Sequence, residues 1–149
     1  MFTDVEASTD MTTRLGDDVA GPLFADHHRV VRDRIIAHGG RRIESTGDGF
    51  LALFDSARSA CACALAIQRE LAAQKDGIRV RIGINAGEVH EGDDGLFGAA
   101  INLAKRVMDR AGGGEILVTD TVRQVAGTMP DAQFRDRGRV ALKGFPERQ

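Results

Sequence analysis

Apolar residues recur along the chain with two periods, and each period predicts a different element. A short apolar run over residues 1–5, MFTDV, predicts a first strand. Residues 6–18, EASTDMTTRLGDD, are rich in Ser and Thr, and we interpret them as a turn. Apolar residues then follow helical spacing over residues 22–38. This helix is predicted to carry Pro22 in its first turn and to end at Gly39 and Gly40.

The next segment has the pattern of a β-hairpin. Two strand-like pieces, residues 41–45 (RRIES) and 50–54 (FLALF), flank the sequence TGDG, whose glycines can adopt the positive φ of tight turns. An alanine-rich helix over residues 57–74 follows, and Asp55 or Ser56 can cap its first turn.

The second half of the chain also contains both strand-like and helix-like patterns of apolar residues. Alternation over residues 78–87 predicts a strand, and four of its side chains are predicted to point inward: Ile78, Val80, Ile82 and Ile84. The remaining elements are predicted as a loop over 88–98, a helix over 99–111, a strand over 115–119, a short helix over 120–126, and a hairpin or strand pair within 134–144.

This order predicts an α+β fold. The first six elements run β-α-β-β-α-β, which is typical of a ferredoxin-like core with a mostly antiparallel sheet and helices on one face. Additional strand and helix elements follow towards the C-terminus. At 149 residues the chain is predicted to form one domain, residues 1–149. Fold alone implies no function.

Composition and charge narrow the classes of function. The chain is 42% hydrophobic and 28% charged, with a net charge of −2, so it has no basic surface typical of nucleic-acid binding. Its apolar runs are too short to span a membrane, and its start lacks a signal-peptide pattern. We therefore expect a cytoplasmic location, with neither nucleic acid nor membrane as a partner of this segment.

Cysteines and histidines do not form a metal-binding pattern. Cys61 and Cys63 are two residues apart in a predicted helix, so they are expected to be core residues rather than a disulfide or a metal pair. The histidines at positions 27, 28 and 38 are predicted to lie on a solvated helix face or at a helix end.

Four polar residues are candidates for chemistry. Asp4 in the first strand and Asp48 in the hairpin turn can hold Mg²⁺ or Mn²⁺ if their strands are neighbours, although each can also be an ordinary cap or turn residue. Asn102 and Arg106 share a helix face, where they suit a ribose oxygen and a phosphoryl group, or simply a solvated surface.

Six segments occur in an order that resembles the class III nucleotidyl cyclases, the catalytic domains of adenylate and guanylate cyclases. They are FTDVEAST, ESTGDGFLALF, VRIGINAGEV, LFGAAINLAKRV, GEILVT and LKGF. The resemblance implies that a purine nucleoside triphosphate, GTP or ATP, is converted to a 3′,5′-cyclic nucleotide and pyrophosphate. Two divalent ions, Mg²⁺ or Mn²⁺, would be held by Asp4, Asp48 and the backbone carbonyl of Val5.

By the same resemblance, Asn102 would orient the ribose, Arg106 would neutralise charge on the α-phosphoryl group, and Lys143 would hold the terminal phosphates. The protein would be a homodimer with its active sites at the interface. Each site would take its aspartates from one chain and these three residues, together with the purine-reading residues, from the other.

The purine-reading positions would be Glu44 and Gly95, which depart from the Lys and Asp or Thr of adenylate cyclases. A carboxylate can accept both guanine donors, N1–H and N2–H₂, so GTP is expected to be favoured. Glu44 can alternatively pair with Arg41 or Arg42 in solvent. An adenylate cyclase with unusual purine contacts and a non-catalytic nucleotide-binding or dimerisation module are the other hypotheses.

Three further features of the sequence differ from the family pattern. Lys105 occupies a position where small residues are frequent, and Glu88 stands where some members have a phosphate-binding Arg. The chain also begins inside the first strand and stops soon after LKGF, so it is expected to be a catalytic domain trimmed at both ends.

Overall fold

The computed structural model describes residues 1–45, 47–74, 78–92 and 95–149, and the side chains of Arg42 and Ile43 are left out of the description. The elements in chain order are β1 (Phe2–Val5), α1 (Ser8–Leu15), α2 (Asp17–Ala37), β2 (Arg41–Ser45), β3 (Phe50–Leu53), α3 (Ala57–Ala72), β4 (Val80–Ile84), β5 (His90–Gly92), β6 (Gly95–Phe97), α4 (Ala99–Met108), β7 (Ile116–Val118) and α5 (Asp120–Ala126).

The main sheet has the strand order β2-β3-β1-β4-β7. Strand β1 is antiparallel to both of its neighbours, β3 and β4, and only β7 is added in parallel, beside β4. The predicted α+β fold with a mostly antiparallel, ferredoxin-like core is therefore confirmed.

Helices α2 and α3 cover one face of this sheet, as predicted for the core. Their apolar residues Val31, Ile35 and Ile67 belong to the same buried cluster as Phe50 and Val80 of the sheet. The four predicted inward residues of the second half are all buried: Ile78, Val80, Ile82 and Ile84. Cys61 and Cys63 of α3 are buried free thiols, which confirms their prediction as core residues.

Helix α4 packs on the opposite face of the sheet. Phe2 and Leu51 are paired across β1 and β3, and both belong with Ala104 and Met108 of α4 to a second buried cluster. Gly83 of β4 permits the close approach, because a Cβ there would lie 2.3 Å from the backbone nitrogen of Met108. Helix α4, which carries the candidate residues Asn102 and Arg106, is thus held against β1 and β4.

The interpretation of residues 6–18 as a turn is wrong, because they contain α1 and the start of α2. Hydroxyl groups that favour turns are satisfied inside the helix: Thr12 Oγ1 donates to the Ser8 carbonyl at 3.0 Å, and Thr13 Oγ1 donates to Thr9 at 2.9 Å. Gly16, at φ 76°, separates the two helices. Pro22 consequently lies inside α2 rather than in its first turn.

Two later predictions also need correction. The predicted loop over 88–98 contains the two-stranded hairpin β5–β6. Residues 134–144 do not form a strand pair; instead, Val140 exchanges two backbone hydrogen bonds with Gln149 beyond that segment, at 2.8 and 2.9 Å. Leu142 is buried and Arg110 donates to the Ala141 carbonyl, so the tail is fixed by contacts with the rest of the domain.

The remaining boundaries agree closely with the predictions. The helix predicted over 57–74 begins at Ala57 and ends at Ala72, and its N-cap is Ser56, whose hydroxyl accepts from the Ser59 amide at 3.3 Å. Thr46 of the predicted hairpin turn lies outside the described residues, whereas Gly47 adopts the expected positive φ of 84°. None of the described helices is long and apolar enough to cross a bilayer.

His27 of α2 is buried at 1% exposure, which corrects its prediction as a solvated residue. Neither ring nitrogen has a hydrogen-bond partner among the described residues. Burial and the neighbouring His28 lower the pKa of His27 to about 4, against a weak opposing effect of the Asp48 backbone and charge. The ring is therefore neutral in the folded domain near pH 7.

This burial predicts that the domain loses stability in mild acid. Between pH 6.5 and pH 4 the unfolded chain protonates His27 while the folded domain does not, so acidification favours unfolding. From pH 7 to pH 5 we expect a loss of about 2 kcal/mol from this residue, measured by urea denaturation. The His27→Leu variant should lack this part of the loss, whereas His90→Gln, at an exposed ring, should keep it. An identical pH dependence in wild type and His27→Leu would contradict the prediction.

Candidate active site

Asp4 and Asp48 are brought together by the pairing of β1 with β3. Thr3 lies opposite Phe50 in this register, and Thr3 Oγ1 accepts a hydrogen bond from the Phe50 amide at 3.1 Å. Gly49 lies between Asp48 and Phe50 in the sequence and allows the backbone of the turn to contact the backbone of β1. A Cβ at Gly49 would lie 2.0 Å from the Thr3 carbonyl oxygen. The turn residue Asp48 is thereby held beside the strand residue Asp4.

The electrostatics of the two carboxyl groups are coupled. Burial raises the pKa of Asp4, and the nearby Asp48 raises it further, while a hydrogen bond from Arg81 opposes both effects. For Asp48, burial also favours the neutral form, but hydrogen bonds from the Ser8 side chain and from Asp4 outweigh it and lower the pKa. On acidification, Asp4 therefore takes up a proton before Asp48 does.

This donor set fits a hard divalent cation better than a soft one. Within the described parts of the chain, no group of three or more His, Cys, Asp and Glu side chains could hold a metal ion. Two carboxylates without further side-chain ligands are typical of Mg²⁺ sites, where water and substrate phosphates complete the coordination shell. Val5 follows Asp4 on the same strand, and the role of its carbonyl stays a prediction.

A cavity of about 470 Å³ adjoins Asp48. It is lined by Ser8, Thr9, Thr12, Phe24, His28, Gly47 and Asp48. Hydroxyl groups from the first turns of α1 thus face the same space as the turn that carries the carboxylate. A polar ligand beside Asp48 would meet hydrogen-bonding groups as well as the ring of His28.

Glu44 and Gly95, the two predicted purine-reading positions, lie next to each other in one chain. Glu44 pairs with Leu51 in the sheet, and a Cβ built on Gly95 would lie 3.5 Å from Glu44 Oε1. Gly95 has a φ of 116°, so any side chain at this position is strained. Arg41, an alternative partner of Glu44, instead binds Asp55 at 2.8 Å.

Asn102 and Arg106 lie one turn apart on α4, as predicted. Asn102 is exposed, and Arg106 forms an ion pair with Asp109 at 3.4 Å. Lys105 also faces Asp109, at 3.7 Å, and its ammonium group lies 6.0 Å from the centre of the Phe2 ring. The structure therefore keeps Lys105 and Arg106 on the surface of α4.

Lys143 is exposed in the C-terminal segment. Among the described residues, no hydrogen bond or ion pair joins Lys143, Asn102 or Arg106 to the two aspartates. One chain thus brings together two pairs of predicted site residues, Asp4 with Asp48 and Glu44 with Gly95. Within the described residues, it does not connect Asn102, Arg106 or Lys143 to the carboxylates.

Sequence reasoning missed three residues that support the site. Ser8 hydrogen-bonds Asp48, and Arg81 binds Asp4 from the neighbouring strand. Asn85 donates to the Ala100 carbonyl at 3.1 Å and accepts from Thr119 at 2.8 Å, so it ties α4 to the end of β4. An arginine and an asparagine at either end of an otherwise apolar strand, VRIGIN, were signals that could have identified two of them.

Comparisons with known proteins place the whole chain in one family. The family profile described as the adenylate and guanylate cyclase catalytic domain matches residues 1–149. An uncharacterized protein of Mycobacterium tuberculosis strain H37Rv is 38% identical over 98% of this chain and 51% of its own length. The chain thus spans about half the length of that curated relative.

Solved structures agree with this placement. A protein of Silicibacter pomeroyi, described as an adenylate/guanylate cyclase/hydrolase, is 30% identical with a TM-score of 0.81, covering 99% of this chain and 90% of that one. The guanylyl cyclase Cya2 is 26% identical with a TM-score of 0.87, covering 99% and 85%. Both adenylyl and guanylyl cyclases occur among the similar structures.

Proposed function

Because the chain belongs to the adenylate and guanylate cyclase catalytic domain family, we propose that it converts a purine nucleoside triphosphate to a 3′,5′-cyclic nucleotide and pyrophosphate, with GTP favoured over ATP. The observation that carries the proposal is the pairing of β1 with β3, which brings Asp4 beside Asp48 at the edge of a cavity whose lining includes the hydroxyl groups of Ser8 and Thr9. It supplies the paired carboxylates that this class III reaction needs.

Asp4, Asp48 and the carbonyl of Val5 would hold two divalent ions, Mg²⁺ or Mn²⁺. When bound, such ions make the ribose 3′-hydroxyl more acidic and neutralise the triphosphate. The two aspartates would hold the ions at the edge of the cavity, and the hydrogen bond from Ser8 would orient Asp48 for this role. No side chain needs to act as general base once the hydroxyl is acidified.

The basic and amide groups of the chain would position the substrate. Asn102 orients the ribose and Arg106 neutralises the charge that develops on the α-phosphoryl group, because the two side chains lie one helical turn apart. Lys143 holds the terminal phosphates as a flexible point charge. Asn85 positions both helix residues through its hydrogen bond to the first turn of α4.

A homodimer would complete two equivalent sites. Within one described chain, Asn102, Arg106 and Lys143 make no polar contact with the aspartate pair, which supports a site finished by a second copy. Each site would then combine Asp4 and Asp48 of one chain with the basic and purine-reading residues of the other.

Glu44 supports the preference for GTP. Guanine presents two donors to a carboxylate, whereas adenine presents a bare N1 acceptor that would face it without a proton between them. Sites that hydrogen-bond a specific group can reject a substrate that lacks it, because a buried partner is left unpaired. Gly95 offers no side chain to the guanine O6, so we expect the preference for GTP to be incomplete.

Exchanging Glu44→Lys is expected to move the ratio of cyclic GMP to cyclic AMP towards cyclic AMP by at least about tenfold. The introduced ammonium group donates to adenine N1 and repels the guanine N1–H. Products from an equimolar mixture of ATP and GTP would be separated by chromatography. The Glu70→Gln variant is the matched control and should keep the wild-type ratio, because Glu70 of α3 pairs with Arg34 of α2 rather than with Glu44 or Gly95.

Adding Gly95→Asp to Glu44→Lys should shift the ratio further, since a carboxylate at position 95 can accept from the adenine N6 amino group and repels the guanine O6. The aspartate must tolerate a φ of 116°, so the double variant is expected to be less stable than the single one. An unchanged product ratio in both variants would remove Glu44 from purine recognition.

A further inference from the structure

Arg81 lies directly opposite Asp4 in the antiparallel pairing of β4 with β1. Its Nε donates to Asp4 Oδ2 at 2.9 Å, and its Nη2 donates to the same oxygen. Both guanidinium donors therefore converge on Oδ2 rather than dividing between the two oxygens of the carboxylate. The side chains are partly buried, with 31% of Arg81 and 18% of Asp4 exposed.

We propose that Arg81 is a positioning residue that occupies one oxygen of Asp4, restricts this aspartate to binding a divalent ion through its other oxygen, and thereby disfavours Ca²⁺ at the site. This inference rests on the proposed function, because it concerns the same two aspartates. It adds a determinant of ion choice that lies outside the metal ligands.

The selectivity follows from the coordination chemistry of the two kinds of ion. Ca²⁺ takes about six to eight oxygen ligands at about 2.3–2.6 Å and commonly binds a carboxylate through both of its oxygens. Mg²⁺ is smaller, prefers six ligands in an octahedron and needs only single oxygens from one or two carboxylates. The described residues offer only two clustered carboxylates here. Losing one oxygen of Asp4 as a ligand therefore lowers the affinity for Ca²⁺ more than the affinity for Mg²⁺ or Mn²⁺.

The charge of Arg81 acts differently from its hydrogen bonds. A positive charge beside the site weakens the binding of every divalent ion by a similar factor, because Coulomb repulsion depends on charge and distance. It also favours the ionised form of Asp48, whose pKa it helps to lower. Only the occupation of one Asp4 oxygen changes the ratio of the Ca²⁺ affinity to the Mn²⁺ affinity, which we call the ion ratio. A change in the ion ratio therefore identifies the positioning role.

The ion ratio can be measured on the full chain without nucleotide. Free Mn²⁺ is followed by its electron paramagnetic resonance signal, and Ca²⁺ or Mg²⁺ is added as competitor. For Arg81→Gln we expect tighter Mn²⁺ binding and a Ca²⁺ affinity that rises at least about tenfold more than the Mn²⁺ affinity. For Arg81→Lys, which keeps the charge but loses the two-donor fork, the ratio should move the same way with the Mn²⁺ affinity near wild type.

Arg79→Gln is the matched control. Arg79 precedes β4, carries the same charge and pairs with Glu6 instead of Asp4, at 3.8 Å. Its ion ratio should equal that of the wild type, and circular dichroism melts would establish that all variants are folded. Equal changes for Ca²⁺ and Mn²⁺ in Arg81→Gln, or an unchanged ratio in Arg81→Lys, would overturn the positioning role.

The test separates this inference from the function it rests on. If wild type and Asp48→Asn bind Mn²⁺ equally, the two-aspartate site itself is wrong, and both proposals fall. If Mn²⁺ binding depends on Asp48 but the ion ratio does not depend on Arg81, only the role of Arg81 is overturned.

Discussion

Replacing Asp48 with asparagine is expected to lower cyclic nucleotide formation by about 10²–10³-fold. This range corresponds to the several kcal/mol that charge stabilisation by a bound divalent ion supplies. The amide keeps the shape of the side chain and can still accept from Ser8, but it lacks the negative charge that would hold the ion. The domain should stay folded, because the substitution also relieves repulsion with Asp4. The rate of product formation with saturating Mn²⁺ is the measurement.

Two controls separate a lost ion from a damaged protein. Asp55→Asn removes an exposed carboxylate that pairs with Arg41 and should leave the rate unchanged. Mixing inactive Asp48→Asn with inactive Asn102→Ala should restore part of the activity, because a mixed dimer has one site with all wild-type residues. Full activity of Asp48→Asn alone would exclude it as a metal ligand, and failure of the mixture would contradict the shared sites.

Substituting Gly49→Ala is expected to cost about 3 kcal/mol of stability, the upper end for overpacking. The new Cβ would lie 2.0 Å from the Thr3 carbonyl oxygen and 3.0 Å from the Asp4 Cα, and neither backbone atom can move without separating β1 from the hairpin. For a domain of this size, the melting temperature should fall by about 10 °C. Mn²⁺ binding should weaken as well, because the two aspartates move apart.

Gly21→Ala is the matched control for this prediction. Gly21 lies inside α2, and a Cβ there would meet no atom within 4 Å apart from its chain neighbours. The same chemical change should therefore leave the stability of the domain within about 0.5 kcal/mol of the wild type, since the better helix propensity of alanine is opposed by its less favourable helical conformation before Pro22. A Gly49→Ala variant as stable as the wild type would contradict the close strand contact that brings the aspartates together.

Much of the fold could be predicted from the sequence because local pattern and tertiary packing agree. The apolar residues Val80, Ile82 and Ile84 of β4 are buried as their alternation predicted. Helix α5 begins and ends where the pattern predicted, at Asp120 and Ala126. The hairpin around Gly47 also carried a clear turn signal. Where periodicity, caps and turn residues point to one structure, the sequence is sufficient.

The errors have a common physical origin, since tertiary contacts replaced what local composition favoured. The Ser and Thr residues of α1 satisfy their hydroxyls within the helix, which composition alone could not indicate. Position 27 carries a polar side chain, yet it points into the core. The C-terminal segment lies against the domain through Leu142 and Arg110 rather than through its own strand pairing.

The residues of the candidate site could be predicted from the sequence, but their proximity could not, because it depends on tertiary contacts. Asp4 and Asp48 were identifiable as residues, but their proximity depends on the register of β1 with β3, which the sequence does not state. Arg81 reaches Asp4 only through the neighbouring register of β4. The roles of Asn102, Arg106 and Lys143 depend on a second chain, so they stay predictions.

A competition assay tests the central claim most directly. The chain would be supplied at high concentration with Mn²⁺ and equal amounts of ATP and GTP, and cyclic AMP and cyclic GMP would be separated by chromatography. We predict that both pyrophosphate and cyclic nucleotide form and that cyclic GMP is the main product. Mainly cyclic AMP would retain the cyclase but contradict guanine recognition by Glu44, and nucleotide binding without any product would contradict the cyclase activity itself.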